Sequence, residues 1–267
     1  MKKCLRVLRI LFIVVVVWLP IGVMLMARGL PDDSNVVKEY DIYTLDDMGE
    51  LAARLGSPMT YNRYGNILML EDFERGLNAW SITLAGVGAE VVITPDRVYG
   101  GKLACYLDSG IGAAPEAQID KLFPPVSKQR VGLQMAFSVG FNAVELRFAI
   151  TRGDGARTHQ FNVKYEHTTG KLYYREGFAV WTHFATPGTL YDGANNYHHA
   201  KLVVDLATDE FVTFYLDNVA YSMAEDTPYT FGAVVSPFTG AMFTVKGAAL
   251  LSGDVWVDNV FVTTNER

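Results

Sequence analysis

The chain has 267 residues, of which 50% are hydrophobic and 19% charged, and its formal net charge is −6 at pH 7. Residues 1–30 hold five basic and no acidic side chains, so residues 31–267 carry the remaining 18 basic and all 29 acidic ones, a net charge of −11. This length and composition allow one large or two small domains with a substantial core, and the acidic charge excludes nucleic acid as the expected partner.

The N-terminus contains a segment with the length and composition of a membrane span. Residues 10–27 carry no charge and follow four basic residues, and a helix of this length spans about 27 Å, close to the thickness of a bilayer core. Residues 1–30 therefore read as an uncleaved signal anchor, as a signal peptide cleaved near Ala27, or as the product of a wrongly assigned start codon. The first two alternatives place residues 31–267 outside the cytoplasm, membrane-anchored or secreted.

Residues 31–66 predict a polar linker with one short amphipathic helix at residues 45–55. Thr44 and the acidic residue three positions later form a capping-box pattern, and apolar residues then recur every three or four positions up to Gly56. The helix either covers an edge or an end of the following domain, or serves self-assembly through residues 34–63.

From residue 67 onward, apolar residues alternate with polar ones, which predicts strands. No helical segment interrupts them, and turn sequences separate them, so residues 67–267 predict an all-β, antiparallel sandwich of two sheets. The candidate strands are 67–74, 79–85, 89–94, 102–108, 115–122, 131–139, 143–151, 157–166, 171–176, 179–185, 197–206, 210–217, 231–236, 240–248 and 254–263. Cys105 lies on one of them and is expected to be a buried small hydrophobic residue.

Several motifs resemble those of known carbohydrate-binding folds. "LEDFERGLNAW" (70–80), "VYGGKLACYL" (98–107) and "VWVDNVFVT" (255–263) resemble the opening, early-middle and closing strands of jelly-roll carbohydrate-binding modules. Residues 197–221 resemble a hairpin of concanavalin A-like lectin and glucanase sandwiches. The resemblance implies a jelly-roll sandwich over residues 67–267, with its first and last strands adjacent, and a glycan as ligand.

The same resemblance implies a structural Ca²⁺ ion between the first and last strands. Its ligands would be an acidic side chain of "DFE" (Glu74 or Asp72), a backbone carbonyl near Gly101 and Lys102, and Asp258. Carboxylate and carbonyl oxygens suit this ion. The alternative is that Asp258 and the following Asn form a bulge whose side chains bond to the local backbone.

Residues 171–193 hold a dense aromatic cluster that predicts a glycan-binding platform. Tyr173, Tyr174, Arg175, Trp181 and His183 are its candidate binding residues, because exposed aromatic rings with polar neighbours stack on sugars. The alternative is that these rings fill the core, since a large sandwich needs bulky residues.

The chain shows few signs of catalysis. The carboxylate strand motif of glucanases is missing, and Glu145 stands alone on its strand. His159, His183 and Tyr173 could serve a lyase of the alginate type, whose motifs are absent. The sequence therefore predicts a non-catalytic carbohydrate-binding module. A structural module of a surface layer, filament or virion is the alternative, and a glycan-active hydrolase or lyase is the least favoured function.

Overall fold

A computed structural model describes residues 65–266, except 127–128, 141–142, 194–195, 218, 224–225 and 233–235. These residues belong to one compact unit, Leu45–Arg267. The N-terminal apolar segment (10–27) and the helix expected at 45–55 lie outside the described residues. Within the described part of the chain, no helix is long and apolar enough to cross a membrane.

The described residues form two antiparallel sheets. The first has the strand order β13-β12-β11-β6-β16-β4-β3, with β1 also beside β16, and the second has the order β10-β9-β8-β7-β15-β5-β2, with β14 beside β8. The strands of the first sheet are β1 (Asn66–Glu71), β3 (Glu90–Thr94), β4 (Ala104–Asp108), β6 (Arg130–Val139), β11 (His198–Asp205), β12 (Glu210–Leu216), β13 (Val219–Ser222) and β16 (Asp254–Thr264). Those of the second are β2 (Ser81–Val87), β5 (Ile111–Phe123), β7 (Glu145–Gly153), β8 (Thr158–Glu166), β9 (Lys171–Arg175), β10 (Trp181–Ala185), β14 (Tyr229–Phe231) and β15 (Phe238–Lys246). The expected two-sheet sandwich is confirmed.

The core lies between the sheets and is built from alternate residues of each strand. On β6, every second residue from Val131 to Val139 belongs to the hydrophobic core, and the ring of Phe137 lies 5.5 Å from that of Phe148 on β7. Cys105 is fully buried in the same core, as expected, and burial raises the pKa of its thiol. The alternation of the sequence therefore separates core positions from two outer faces.

Strand β16 joins the two ends of the sandwich domain within the first sheet. One side pairs with β6, while the other pairs first with β4 (Asp254–Val257) and then with β1 (Val260–Thr264). The change of partner falls at Asp258 and Asn259, where the register shifts and Asn259 has a φ of 50°. Such a positive φ is tolerated best by Gly, Asn and Asp, which explains the residue type at this bulge. The expected adjacency of the first and last strands is confirmed.

A buried ion pair lies on the outer face of the first sheet. The Nζ of Lys201 on β11 lies 2.8 Å from the Oε1 of Glu266, and each side chain is only 1% exposed. The Thr263 hydroxyl also donates a hydrogen bond to Glu266. A Cβ added at Gly132 would lie 2.7 Å from the same carboxylate oxygen, so only glycine leaves room for the pair.

Candidate glycan-binding face

The outer face of the second sheet carries a continuous row of polar and aromatic side chains, which we call the central row. Residues in register on neighbouring strands point to the same face, so strand pairing defines the row. The central row crosses six strands from β5 to β10 through Gln118, Thr244, Arg147, Lys164, Tyr173 and His183. The face therefore carries polar groups from β5 to β8 and aromatic rings on β9 and β10, and Thr244 in this row is only 1% exposed.

A second row runs beside the central row and consists of charged residues. Its members, in register from β5 to β9, are Glu116, Lys246, Glu145, Glu166 and Lys171. Glu145 pairs with the Nζ of Lys164 at 3.5 Å and also with Arg147. Arg147 and Lys164 nevertheless stand directly opposite each other, as do Glu145 and Glu166. Like charges in this position destabilise a sheet, so the arrangement is not explained by strand pairing alone.

Trp181 lies at the end of this face, surrounded by three cationic groups. The centroid of its indole lies 4.8 Å from the Nζ of Lys164, 5.0 Å from the Cζ of Arg147 and 6.0 Å from the Cζ of Arg175. The Nζ of Lys164 also lies 4.7 Å from the ring of Tyr173. Cations over the faces of aromatic rings hold both groups in defined positions.

Arg175 is anchored by neutral groups. Its guanidinium donates to the carbonyl oxygens of Gly177, at 3.1 Å, and of Phe178, at 2.8 Å, and to the amide oxygen of Gln160. It lies 4.5 Å from the ring centroid of Tyr229. Burial lowers the pKa of Arg175, and the charge of Arg147 lowers it further. Among the described residues Arg175 forms no ion pair.

Four of the five residues expected to bind a ligand share this face. Trp181 pairs in register with Arg175, and His183 pairs with Tyr173. Tyr174 points the other way, because successive residues of a strand alternate. It is 6% exposed, packs in the core against Phe211, and hydrogen-bonds through its hydroxyl to Glu176.

Sequence reasoning missed Arg147, Lys164 and Tyr229, which complete the cluster. In "ELRFAI", Arg147 stands between two core residues, so alternation alone indicates that it faces outward. Its closeness to Trp181 depends on the pairing of four strands and has no local signal. Glu145 likewise stands alone in the sequence but faces Glu166 across β7 and β8.

Two of the three residues considered for a lyase, Tyr173 and His183, lie together on the outer face. Tyr173 and His183 lie edge to face, with ring centroids 5.5 Å apart, next to the Nζ of Lys164. His159 is not beside them, since its Nε2 lies 3.1 Å from the Oδ2 of Asp154 in the β7–β8 turn. A tyrosine, a histidine and a cation thus meet on the outer face.

The residues expected to hold Ca²⁺ meet around one loop that crosses the bulge of β16. The Oδ2 of Asp258 accepts the backbone N–H groups of Tyr99 and Gly100, both at 3.0 Å. The Oε1 of Glu74 accepts those of Lys102 and Leu103. Gly101 has a φ of 84°, and a Cβ there would collide with the Glu74 carboxylate, so the loop requires glycine at this position.

The carboxylates beside this loop are chemical groups that can bind a cation. Asp258 is fully buried, and its pKa is raised to about 6, because burial and the nearby charge of Asp72 outweigh the lowering effect of the backbone N–H groups that it accepts. A positive ion would relieve both effects. The backbone N–H groups stabilise the same carboxylates, and among the described residues no three His, Cys, Asp or Glu side chains form a metal-holding group. Any ion would therefore depend on backbone oxygens as well.

The fold is shared with solved structures at low sequence identity. An endo-β-1,4-glucuronan lyase from the fungus Trichoderma reesei is 15% identical, with a TM-score of 0.52 over 74% of this chain and 96% of that chain. A carbohydrate esterase of a Shiga toxin-encoding bacteriophage is 14% identical, with a TM-score of 0.50 over 76% of this chain and 100% of that chain. The potassium-bound carbohydrate recognition domain of Emp46p is 12% identical, with a TM-score of 0.47 over 76% of this chain and 95% of that chain.

No protein-family model and no curated protein matches the chain. The structural likeness and the two antiparallel sheets show a jelly-roll, concanavalin A-like sandwich, as the sequence motifs implied. At these identities the likeness shows the fold alone.

Proposed function

We propose that this protein is a non-catalytic carbohydrate-binding protein whose ligand lies on the outer face of the second sheet. The observation that carries the proposal is the central row, together with Trp181 and its cations. Sugar rings present apolar C–H faces that stack on aromatic rings, and hydroxyl edges that need hydrogen-bond partners. The face supplies both kinds of group, with rings on β9 and β10 and polar side chains on the strands beside them.

The comparisons support carbohydrate as the first ligand class to test. The two solved structures with TM-scores of at least 0.50 are named for action on glucuronan and on carbohydrate. Their fold, and not their chemistry, is what this chain shares. The basic, apolar N-terminus further supports a location outside the cytoplasm, behind a membrane anchor or a cleaved signal.

A second candidate function is cleavage of the bound glycan by elimination, and the contact between Tyr173 and His183 favours it. In such a reaction a base removes the proton from the carbon next to a uronate carboxyl. The bond from the ring to the leaving oxygen breaks, a carbon–carbon double bond forms, and the leaving oxygen takes up a proton. Tyr173 and His183 would remove the first proton and supply the second, while Lys164 and Arg147 would stabilise the charge on the carboxyl.

Glycan binding is tested with the full-length protein in detergent micelles on a glycan array, followed by titration calorimetry. Trp181→Ala should abolish binding. Trp256→Ala is the matched control, because Trp256 lies on the outer face of the other sheet with the Cζ of Arg97 3.8 Å from its ring centroid. Both variants should keep the β-sheet circular dichroism of the wild type.

Three results would contradict the proposal. Undiminished binding by Trp181→Ala would show that the ligand binds at another surface. Absence of any glycan binding, together with large oligomers on a sizing column, would support the assembly module. Release of unsaturated sugar would show an enzyme, and loss of that release in Tyr173→Phe with binding retained would identify Tyr173 as a catalytic residue.

A further inference from the structure

We propose that the ligand of this face is an anionic glycan, whose carboxylate or sulfate groups bind Arg147, Lys164 and Arg175. The inference rests on the proposed function and adds the chemical class of the ligand. It follows from the charges around Trp181 and from the way in which those charges are partnered.

The charge at this site is opposite to that of the domain. Residues 31–267 carry a net charge of −11, yet three cations surround Trp181. Glu145 is the carboxylate that pairs with two of them, Arg147 and Lys164. When the three cations are counted against Glu145 and against Glu166, which accepts the Tyr173 hydroxyl, one positive charge remains in excess. In an acidic protein, such a local field attracts anions to this surface.

Two of the cations are held close together and share one carboxylate, that of Glu145. Arg147 and Lys164 occupy opposite positions on neighbouring strands, where like charges repel. Their side chains are 21% and 13% exposed, so solvent screens that repulsion only in part. A bound anion would add a second negative charge to the single carboxylate that the two cations share, and a neutral sugar would not.

The described hydrogen bonds of Arg175 use three of the five N–H donors of its guanidinium. Its described hydrogen bonds go to three neutral oxygens, which fix the guanidinium without compensating its charge. The neighbouring charge of Arg147 and the burial of the group lower its pKa, a sign of an uncompensated cation. A planar guanidinium binds carboxylate and sulfate groups through two parallel hydrogen bonds.

The same geometry explains why the cations surround an aromatic ring. The carboxyl of a uronate projects from the edge of the sugar ring. A sugar stacked on Trp181 therefore brings this group towards the cations, whose charged ends lie 4.8 to 6.0 Å from the indole centroid. Stacking and ion pairing can then act on a single sugar residue.

The test compares one polymer in charged and neutral forms. Full-length protein in detergent micelles is titrated with polygalacturonate, with the same polymer after reduction of its carboxyls to alcohols, and with a sulfated neutral glucan. The charged polymer should bind at least about tenfold more tightly than its reduced form, since hydrogen bonds to charged groups are worth about 1.5–3 kcal/mol and 1.4 kcal/mol is tenfold in affinity. Added salt should weaken only the binding of charged polymers.

Variants separate the ion pairs from the stacking. Arg175→Gln should reduce the preference for the charged polymer about tenfold, whereas Trp181→Ala should weaken both forms. Arg130→Gln is the matched control. It removes the same charge from the first sheet, where Arg130 pairs with Asp205 at 3.2 Å, and should change neither affinity.

The outcomes distinguish this inference from the function on which it rests. Equal binding of charged and reduced polymers, both sensitive to Trp181→Ala, would overturn the anionic ligand and keep the glycan-binding function. Absence of binding to every polymer would overturn the function itself. Preference for the sulfated glucan over both other polymers would support the inference and identify sulfate as the bound group.

Discussion

The buried ion pair between Lys201 and Glu266 gives the most direct test of how the first sheet is stabilised. Each side chain is 1% exposed, so removing either one takes away from a buried group a partner of opposite charge at 2.8 Å. We expect Lys201→Met and Glu266→Gln each to lower the free energy of unfolding by about 3–5 kcal/mol. For a domain of this size, 1 kcal/mol corresponds to roughly 2–4 °C, so each melting temperature should fall by roughly 10 °C.

Thermal unfolding of the full-length protein, followed by far-ultraviolet circular dichroism, measures this effect. The double variant should be more stable than the sum of the two single changes predicts, because neither charge of the pair remains buried in it. Arg130→Gln is the control, since its ion pair with Asp205 is partly solvated and should contribute at most about 1 kcal/mol. If Lys201→Met costs no more than this control, the pair does not stabilise the sheet as its burial implies.

Three further predictions concern calcium, pH and the two adjacent tyrosines. We propose that Ca²⁺ binds at the β16 bulge, so chelation should lower the melting temperature of the wild type. The loss in free energy of unfolding should be about 2.7 kcal/mol if the ion was present at 100 times its Kd. Asp258→Asn should remove this response, and a wild-type melting temperature that ignores both chelator and added calcium would exclude the ion. Burial lowers the pKa of His198, but its hydrogen bonds to Asp217 and to a backbone carbonyl outweigh burial and raise it above the usual 6.5. The pair of His198 and Asp217 should therefore stabilise the fold fully below pH 6.5 and lose that contribution as the pH rises through the folded pKa of His198. The free energy of unfolding, measured by chemical denaturation, should fall less between pH 6 and 9 in Asp217→Asn than in the wild type. An equal fall in both proteins would refute the role of the pair. Tyr174→Ala should cost about 3–5 kcal/mol because the ring is in the core, whereas Tyr173→Ala should weaken glycan binding with a smaller loss of stability; equal losses in thermal unfolding would contradict the assignment of their faces.

The strands could be predicted from the sequence because burial on one face imposes a period of two. The candidate at 254–263 differs from Asp254–Thr264 by one residue, and the candidate at 171–176 differs from Lys171–Arg175 by one residue. Strand Val219–Ser222 was missed, since it is an edge strand of the first sheet with exposed residues and little alternation. The candidate at 231–236 overlaps β14 (Tyr229–Phe231) only at Phe231, and its residues 233–235 lie outside the described part of the chain.

The candidate site could be predicted only in part, because its residues come from distant segments. Trp181 and Tyr173 were recognisable as members of an aromatic run. Which rings face outward depends on the phase of the alternation, so Tyr174 could not be separated from its neighbour. Arg147 meets Trp181 only after β7, β8, β9 and β10 pair in register. A lysine on a strand is expected to be exposed. The burial of Lys201 could not be predicted, because its partner Glu266 is distant in the sequence.

The position of β16 has a consequence for how the molecule reaches its native state. This strand lies between β6 and the pair β4 and β1, and its contact with β1 joins Asn66 to Thr264. During synthesis, the first sheet therefore lacks an interior strand until residues 254–264 have left the ribosome. Closing so long a loop is slow, and the partly assembled sheet would offer β4 and β6 as open edges to other chains. A chain with this connectivity therefore exposes strand edges until its last strand has been made.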